Sequence, residues 1–229
     1  MKRGKKYRKV AENLDRTKIY SLEEAVTKVK ETSYSSFVGS LEAHFNIKIP
    51  KDTDPKSLKG ALTLPHQTDV KKIVIAVFTT PEKEKEAKEA GADYVGLDNL
   101  IKEIQAGKIS FDIVIASPSV MSKIAILGKE LGPKGLMPNP KSGTVTDNIA
   151  ETVKEYKKGK QPFSCDSTGV IHIKVGRLDM EDEKLIENIH ATVDAIEQVI
   201  GKQYPQAVSK LHITPTIGPS FKVDYKKKE

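Results

Sequence analysis

The sequence predicts a protein of mixed α/β and α+β class in two domains: a split α+β domain built from both chain ends, and an α/β domain inserted between them. Three observations carry this reading. Segments near both ends alternate apolar and polar residues, the pattern of strands with one dry face and one wet face. The middle instead holds continuous apolar runs separated by helical segments, as expected of strands buried on both faces of a parallel sheet. The 229 residues are long for one domain and sufficient for two of about 100 residues each.

The elements follow in order. Ser21-Leu22-Glu23-Glu24 reads as a capping box. Leu22, Ala25, Val26 and Val29 then recur at helical spacing. Leu41, Ala43, Phe45, Ile47 and Ile49 alternate with Glu42, His44, Asn46 and Lys48, a half-buried strand of an antiparallel sheet. In the middle, Ile73 to Phe78 is an apolar run, and Thr80-Pro81 opens a charged helix that stops at Gly91. Tyr94-Val95 is a short strand, followed by a helix over Leu97 to Gln105 that ends near Gly107. Phe111 to Ala116 is a second apolar run, followed by a helix over Ser119 to Leu131 and another from Asp147 to Lys158 that stops at Gly159. Alternation then returns. Ile171, Ile173 and Val175 share one face of a strand, with Val170, His172 and Lys174 on the other. A long amphipathic helix carries Leu185, Ile189, Val193, Ile196 and Ile200 and ends at Gly201. Leu211 and Ile213, then Phe221 and Val223, alternate with polar neighbours. Neither flank has enough elements to bury a core alone, so residues 1–66 and 160–229 are expected to form one domain around an insert of residues 67–159. The crossings fall near Pro65 to Asp69 and Gly159 to Pro162, and two crossings at one place make a natural hinge.

The net charge of +7 points to a polyanionic partner. Its placement is more informative. Residues 1–66 carry 14 Lys/Arg against 8 Asp/Glu, whereas residues 160–229 carry 10 of each. The basic residues Lys2, Arg3, Lys5, Lys6, Arg8 and Lys9 form an N-terminal arm, with a second cluster at Lys226 to Lys228. Both read equally as solubilising tails or as nucleic-acid contacts. Arginine occurs only at positions 3, 8, 16 and 177, which favours backbone and shape recognition over a base code read by bidentate Arg. One cysteine, Cys165, forms no intramolecular bridge and no thiolate cluster, which suits a reducing cytoplasmic setting. No apolar stretch approaches the roughly 18 residues of a spanning helix, so no membrane partner is expected.

Catalytic chemistry finds little support. The turn after the first apolar run, Thr79-Thr80-Pro81-Glu82, lacks the glycine fingerprint of a dinucleotide site. The five histidines have no metal-ligand spacing, and His44 and His172 lie on the polar faces of strands. The segment Gly132 to Thr144 is rich in Gly, Pro and Lys and suits either a phosphate-binding loop or a rigid proline-fixed surface loop. An enzyme or small-molecule phosphate binder using this loop is the alternative to an RNA-binding reading. In Thr214-Pro215-Thr216-Ile217-Gly218-Pro219-Ser220, hydroxyls and a glycine suit a shallow RNA minor groove, or form an ordinary loop. Phe37, in Ser35-Ser36-Phe37-Val38-Gly39-Ser40, is either a base-stacking aromatic or a core residue capping the sheet.

Over its whole length the chain resembles the universal large-subunit ribosomal proteins of the mobile stalk, the L-one family. The resemblance rests on the segment Leu131 to Val145, reading LGPKGLMPNPKSGTV. Supporting matches are Gly60 to His66, Gly91 to Gly96, Phe111-Asp112, Thr168 to His172 and Thr216 to Ser220. It implies a split α+β sandwich domain with an inserted Rossmann-like three-layer α/β domain, in a cytoplasmic, ribosome-bound protein that is monomeric apart from the ribosome. It also implies no enzymatic activity, no cofactor and no metal. The implied partners are large-subunit rRNA, deacylated tRNA in the exit site and the leader mRNA of the protein's own operon, whose translation it would repress. The family's rRNA site carries over to Phe37, Ser40 and Glu42, to Asp166, Thr168, Gly169 and His172, and to Thr216, Ile217, Gly218 and Pro219, and Ser36, Lys210 and Thr214 are expected to bind RNA beside them. Ser36 stands where relatives commonly have a basic residue, Ile217 where they usually have Met, Pro215 where they have Ser or Thr, and Lys210 where a small hydroxylated residue is frequent.

Overall fold

A computed structural model describes residues 4–12, 14, 15, 17–48, 50, 53–66, 73–107, 110–201 and 207–225. Lys2, Arg3, Arg16, Ile49 and Lys226 to Lys228, singled out from the sequence, lie outside these residues. The elements begin with α1 (Lys5–Ala11), β1 (Ile19–Tyr20), α2 (Leu22–Thr32), β2 (Ser40–Ile47) and β3 (Lys59–Thr63). They continue with β4 (Ile75–Phe78), α3 (Glu84–Glu89), β5 (Tyr94–Gly96), α4 (Asp98–Gln105), β6 (Ile113–Ala116), α5 (Met121–Ile124), α6 (Gly128–Leu131) and α7 (Ile149–Lys157). The chain closes with β7 (Lys160–Ser164), β8 (Val170–Arg177), α8 (Asp182–Ile196), β9 (Val208–Pro215) and β10 (Phe221–Val223). Contacts divide it into two compact units, one of Met1–Asp69 with Pro162–Glu229 and one of Val70–Gln161.

The first unit is built on a five-stranded sheet of order β1-β10-β9-β2-β8. Strand β2, paired between β9 and β8, alternates strictly: Leu41, Ala43, Phe45 and Ile47 are buried, while Ser40, Glu42, His44 and Asn46 face the other way. Helix α2 covers the dry face with Leu22, Ala25, Val26 and Val29. It starts where Ser21 accepts a hydrogen bond from the Glu24 amide at 3.3 Å. Helix α8 adds Leu185, Ile189, Val193 and Ile196 to the same core. Beside these apolar residues lies Asn188, fully buried. Its amide donates to the carbonyls of Val175 (2.8 Å) and His66 (3.1 Å), and its Oδ1 accepts from the His66 amide at 3.0 Å. One buried side chain therefore satisfies three backbone groups that would otherwise be left unpaired.

This sheet departs from the expected antiparallel arrangement at one edge, where β1 runs parallel to β10. A two-residue strand carries no alternation, so periodicity could not reveal it. A second sheet pairs β3 with β7. Strand β7 contains Pro162, a residue that argues against strand in a sequence reading. Ahead of the sheet, residues 5–11 of the basic arm form a helix with no buried residue.

In the second unit, β4 lies between β5 and β6 in a parallel sheet. Alternate residues of its strands enter different cores. Ala76, Phe78, Val114 and Ala116 join one cluster with Leu100, Ile104 and Leu131, whereas Ile75, Val77, Ile113 and Ile115 join another with Ala87, Val153 and Tyr156. That double burial explains the unbroken apolar runs. Asp112, within the second run, lies just outside β6, and its carboxylate accepts from the Val74 amide at 3.0 Å. The helix expected over Ser119 to Leu131 is instead a succession of short pieces, α5 and α6 joined by a 3-10 turn at Ala125–Leu127 and preceded by another at Pro118–Val120. Val120, Ile124, Leu127 and Leu131 still share one buried side. Periodicity specified the face but not the winding, which tightens just ahead of the poor helix former Gly128.

Candidate nucleic-acid interface

The residues singled out from the sequence gather along the wet face and both ends of β2. At the Ser40 end two loops are tied together. The Ser40 amide donates to the Thr216 hydroxyl at 2.8 Å, and the Thr216 amide donates to the Ser40 carbonyl at 3.0 Å. Ser36, Phe37 and Val38 project from the first loop. Phe37 is 55% exposed, which selects the open aromatic over the core residue. The Ser35 hydroxyl donates to the Phe37 carbonyl at 2.6 Å and fixes the turn independently of the ring. In the second loop Thr216 is exposed, Ile217 and Gly218 are half-buried and Pro219 is buried. A Cβ on Gly218 would lie 2.5 Å from the Pro215 ring and 3.2 Å from the Thr32 carbonyl. This glycine is therefore required by the protein's own packing, a constraint its sequence context did not reveal.

At the other end, Asn46 pairs with Val170 and Lys210, and the Ile47 amide donates to the Gly169 carbonyl at 2.8 Å. The turn from Asp166 to Val170 is organised by the Asp166 carboxylate. It accepts from the Thr168 amide, the Thr168 hydroxyl and the Val170 amide, each at 2.8 Å. These bonds, the Val170 amide foremost, hold its pKa down at about 2. Asp166 is thus a builder of the turn, presenting exposed Thr168 and placing Gly169 at φ +83°. Lys210 is exposed on β9. Between the two ends, Glu42 pairs with Lys174 and Thr214, and His44 with His172 and His212. At strand rise, the two ends are about 20 Å apart. The candidate residues thus form an extended strip along one strand.

His44 and His212 were not among the residues assigned to the site from the sequence. Alternation placed them on the wet face, but only the strand register reveals that His172, His44, His212 and Lys222 form a row across four strands. Burial, then the neighbouring His172 and His212, lower the His44 pKa to about 4. Burial, then Lys210 and Lys222, lower that of His212.

The Gly132 to Thr144 loop has a different character. Thr144 Oγ1 accepts from the Asn139 amide at 2.8 Å, Asn139 Oδ1 accepts from the Lys141 amide at 2.8 Å, and Ser142 Oγ donates to the Asn139 carbonyl at 2.9 Å. The buried Tyr156 hydroxyl donates to the Ser142 carbonyl at 2.8 Å. Ser142 and Thr144 are themselves buried. The polar groups of Asn139, Ser142 and Thr144 are thus spent within the protein, which supports the rigid-loop alternative for that half of the segment, while Lys134 and Lys141 stay exposed. Cys165 is buried, and burial raises its pKa to about 11, well away from a reactive thiolate. Among the described residues no group of three or more His, Cys, Asp or Glu is arranged to hold a metal ion, and no helix is long and apolar enough to cross a membrane.

Comparisons with known proteins place the chain among relatives. The profile of the Ribosomal protein L1p/L10e family matches residues 23–219. A protein of Kosmotoga olearia described as "Large ribosomal subunit protein uL1" is 42% identical over 231 residues, covering 99% of this chain and 98% of that protein. Another, from Phaeodactylum tricornutum and described as "Large ribosomal subunit protein uL1c", is 45% identical over 225 residues, covering 95% and 96% respectively.

Proposed function

The chain belongs to the Ribosomal protein L1p/L10e family, and from that premise we propose that it is a structural, non-enzymatic component of the large ribosomal subunit that binds rRNA along the wet face of β2. It works in the cytoplasm, on the ribosome. The observation that carries the reading is the tie between the Ser40 and Thr216 loops, which holds exposed Phe37 beside a hydroxyl-bearing loop at the edge of an open polar sheet. Such a surface suits folded RNA. The aromatic offers a stacking face, and the hydroxyls of Ser40, Thr168, Thr214 and Thr216 suit 2′-hydroxyls and phosphates, while Gly169 and Gly218 serve to build the turns that carry them. Lys210, Lys222 and the exposed lysines of α1 add attraction for phosphate, with release of counterions.

The same reading extends to finer roles. The second unit, covered on both faces of its parallel sheet, is the family's inserted Rossmann-like domain, joined to the split α+β sandwich by a two-stranded hinge. The protein is monomeric apart from the ribosome and forms the mobile stalk near the tRNA exit site. There it assists the departure of deacylated tRNA, and it represses translation of its own operon by binding a leader mRNA that mimics the rRNA site.

Footprinting on large-subunit rRNA, with tRNA as a competitor of different shape, tests the core of the reading. Protection confined to one rRNA element, and weakened by Thr216→Ala, is expected. Uniform, fully salt-labile protection of any RNA would reduce the protein to a non-specific polycation and end the proposal.

A further inference from the structure

We propose that the sheet face takes up a proton when RNA docks on it, and that the proton is held by the paired imidazoles of His44 and His172. The inference rests on the RNA-binding reading above and adds a chemical coupling to it.

His44 on β2 and His172 on β8 are cross-strand partners. Their Nδ1 atoms lie 2.7 Å apart, with ring centroids separated by 4.9 Å and planes inclined at 69°. At that distance one nitrogen must carry a proton and the other a lone pair, so the neutral pair consists of two different tautomers. One added proton converts a ring to imidazolium, which donates through Nδ1–H to its neighbour. A second added proton would set N–H against N–H and charge against charge. The pair therefore has room for one extra proton and no more, and the low proton affinity of buried His44 agrees with this.

The outer nitrogens indicate where the charge settles. Nε2 of His172 faces the Asp166 carboxylate at 3.6 Å, and this ring is the more exposed of the two. Nε2 of His44 faces the Thr214 hydroxyl at 3.2 Å, with Glu42 Oε2 at 4.0 Å. An imidazolium in the pair thus has the Asp166 carboxylate beside its outer nitrogen on the His172 side, and the Thr214 hydroxyl on the His44 side.

The remaining charged neighbours oppose the added proton in the free protein. His212 stands opposite His44 on β9, flanked by Lys210 on its own strand and Lys222 on β10, while Lys174 on β8 stands opposite Glu42. Among the described residues, Glu42 and Asp166 are the carboxylates within about 4 Å of the pair, and Asp166 already accepts three hydrogen bonds from its own turn at 2.8 Å. A phosphate strip laid over this face supplies the missing negative charge. Because linkage is reciprocal, whatever RNA adds to the pair's proton affinity the proton adds to RNA affinity.

The test is RNA affinity against pH at constant salt, using the full chain and a large-subunit rRNA fragment. As pH falls from about 8 to about 5.5, a one-unit rise in proton affinity on binding tightens the wild-type Kd by up to about tenfold. His44→Gln/His172→Gln loses most of that slope, whereas His212→Gln keeps it. Calorimetry in two buffers of different ionisation enthalpy reads the same event directly, as net proton uptake by the wild-type protein, and does not depend on the variants folding. Absence of uptake, or an undiminished slope in the folded double variant, overturns the coupling while leaving RNA binding intact. A chain that binds no rRNA at any pH overturns the RNA reading and the coupling together.

Discussion

Phe37→Ala separates binding from folding at the open end of β2. Just over half of the Phe37 surface is open in the protein alone, and its turn is fixed by the Ser35 hydroxyl on the Phe37 carbonyl, a bond that alanine keeps. Truncating a fully buried phenylalanine costs about 3–5 kcal/mol. At this exposure only the buried part of the ring is lost, so the stability change should stay below about 1.5 kcal/mol. A base stacked on the ring contributes about 1–3 kcal/mol, so affinity for the rRNA element should fall roughly 5- to 150-fold at fixed salt. Urea melts and filter binding on the same preparations measure the two quantities. Unchanged affinity would refute the stacking role, and a melt shifted as far as that of a core phenylalanine would refute the exposure argument.

Two further outcomes follow from the interior and the sheet face. Asn188→Ala leaves the Val175 carbonyl and both backbone groups of His66 without their partner, and should cost about 3 kcal/mol in urea denaturation; a loss under about 1 kcal/mol would mean that water replaces the side chain. His44 stays neutral in the folded protein down to about 4 but takes a proton near 6.5 when unfolded. The unfolded state therefore binds more protons in that window. Stability is constant above pH 6.5 on this account and falls as pH drops towards 4, by at most about 3 kcal/mol. His44→Gln should remove that part of the decline, and melts at stepped pH that superimpose for variant and wild type would contradict it.

Much of the fold was legible because burial writes itself into period. The alternation of Leu41 to Ile47 matches the burial of β2 residue for residue, and Leu22, Ala25, Val26 and Val29 are the buried side of α2. Short or interrupted elements were not legible. β1 has two residues, β7 contains Pro162, and the segment after Pro118 keeps a helical face while changing its winding. The site was partly legible. Phe37 and Thr216 stood out by residue type, but their loops are joined by a contact between residues 176 positions apart. Pairing register likewise remained hidden, so three histidines on three strands could not be recognised as one row. Asn188 occupies an apolar helical stripe, where composition gives no hint of the backbone groups waiting for it.

The parallel edge pairing of β1 with β10 gives the molecule a direction. Ile19 stands beside Lys222, in the row of His212 and His44, so the chain enters the sheet level with the middle of the strip and runs away from the Thr216 loop. It leaves at Tyr225, whose hydroxyl donates to the Val208 carbonyl at 2.7 Å, beside Ile47 and the far end of β2. A cleavage reagent tethered at residue 225 would therefore sit near the Ile47 end of the strip and one at residue 18 beside its middle row, and the offset between their cuts would orient a bound RNA without any structure of the complex.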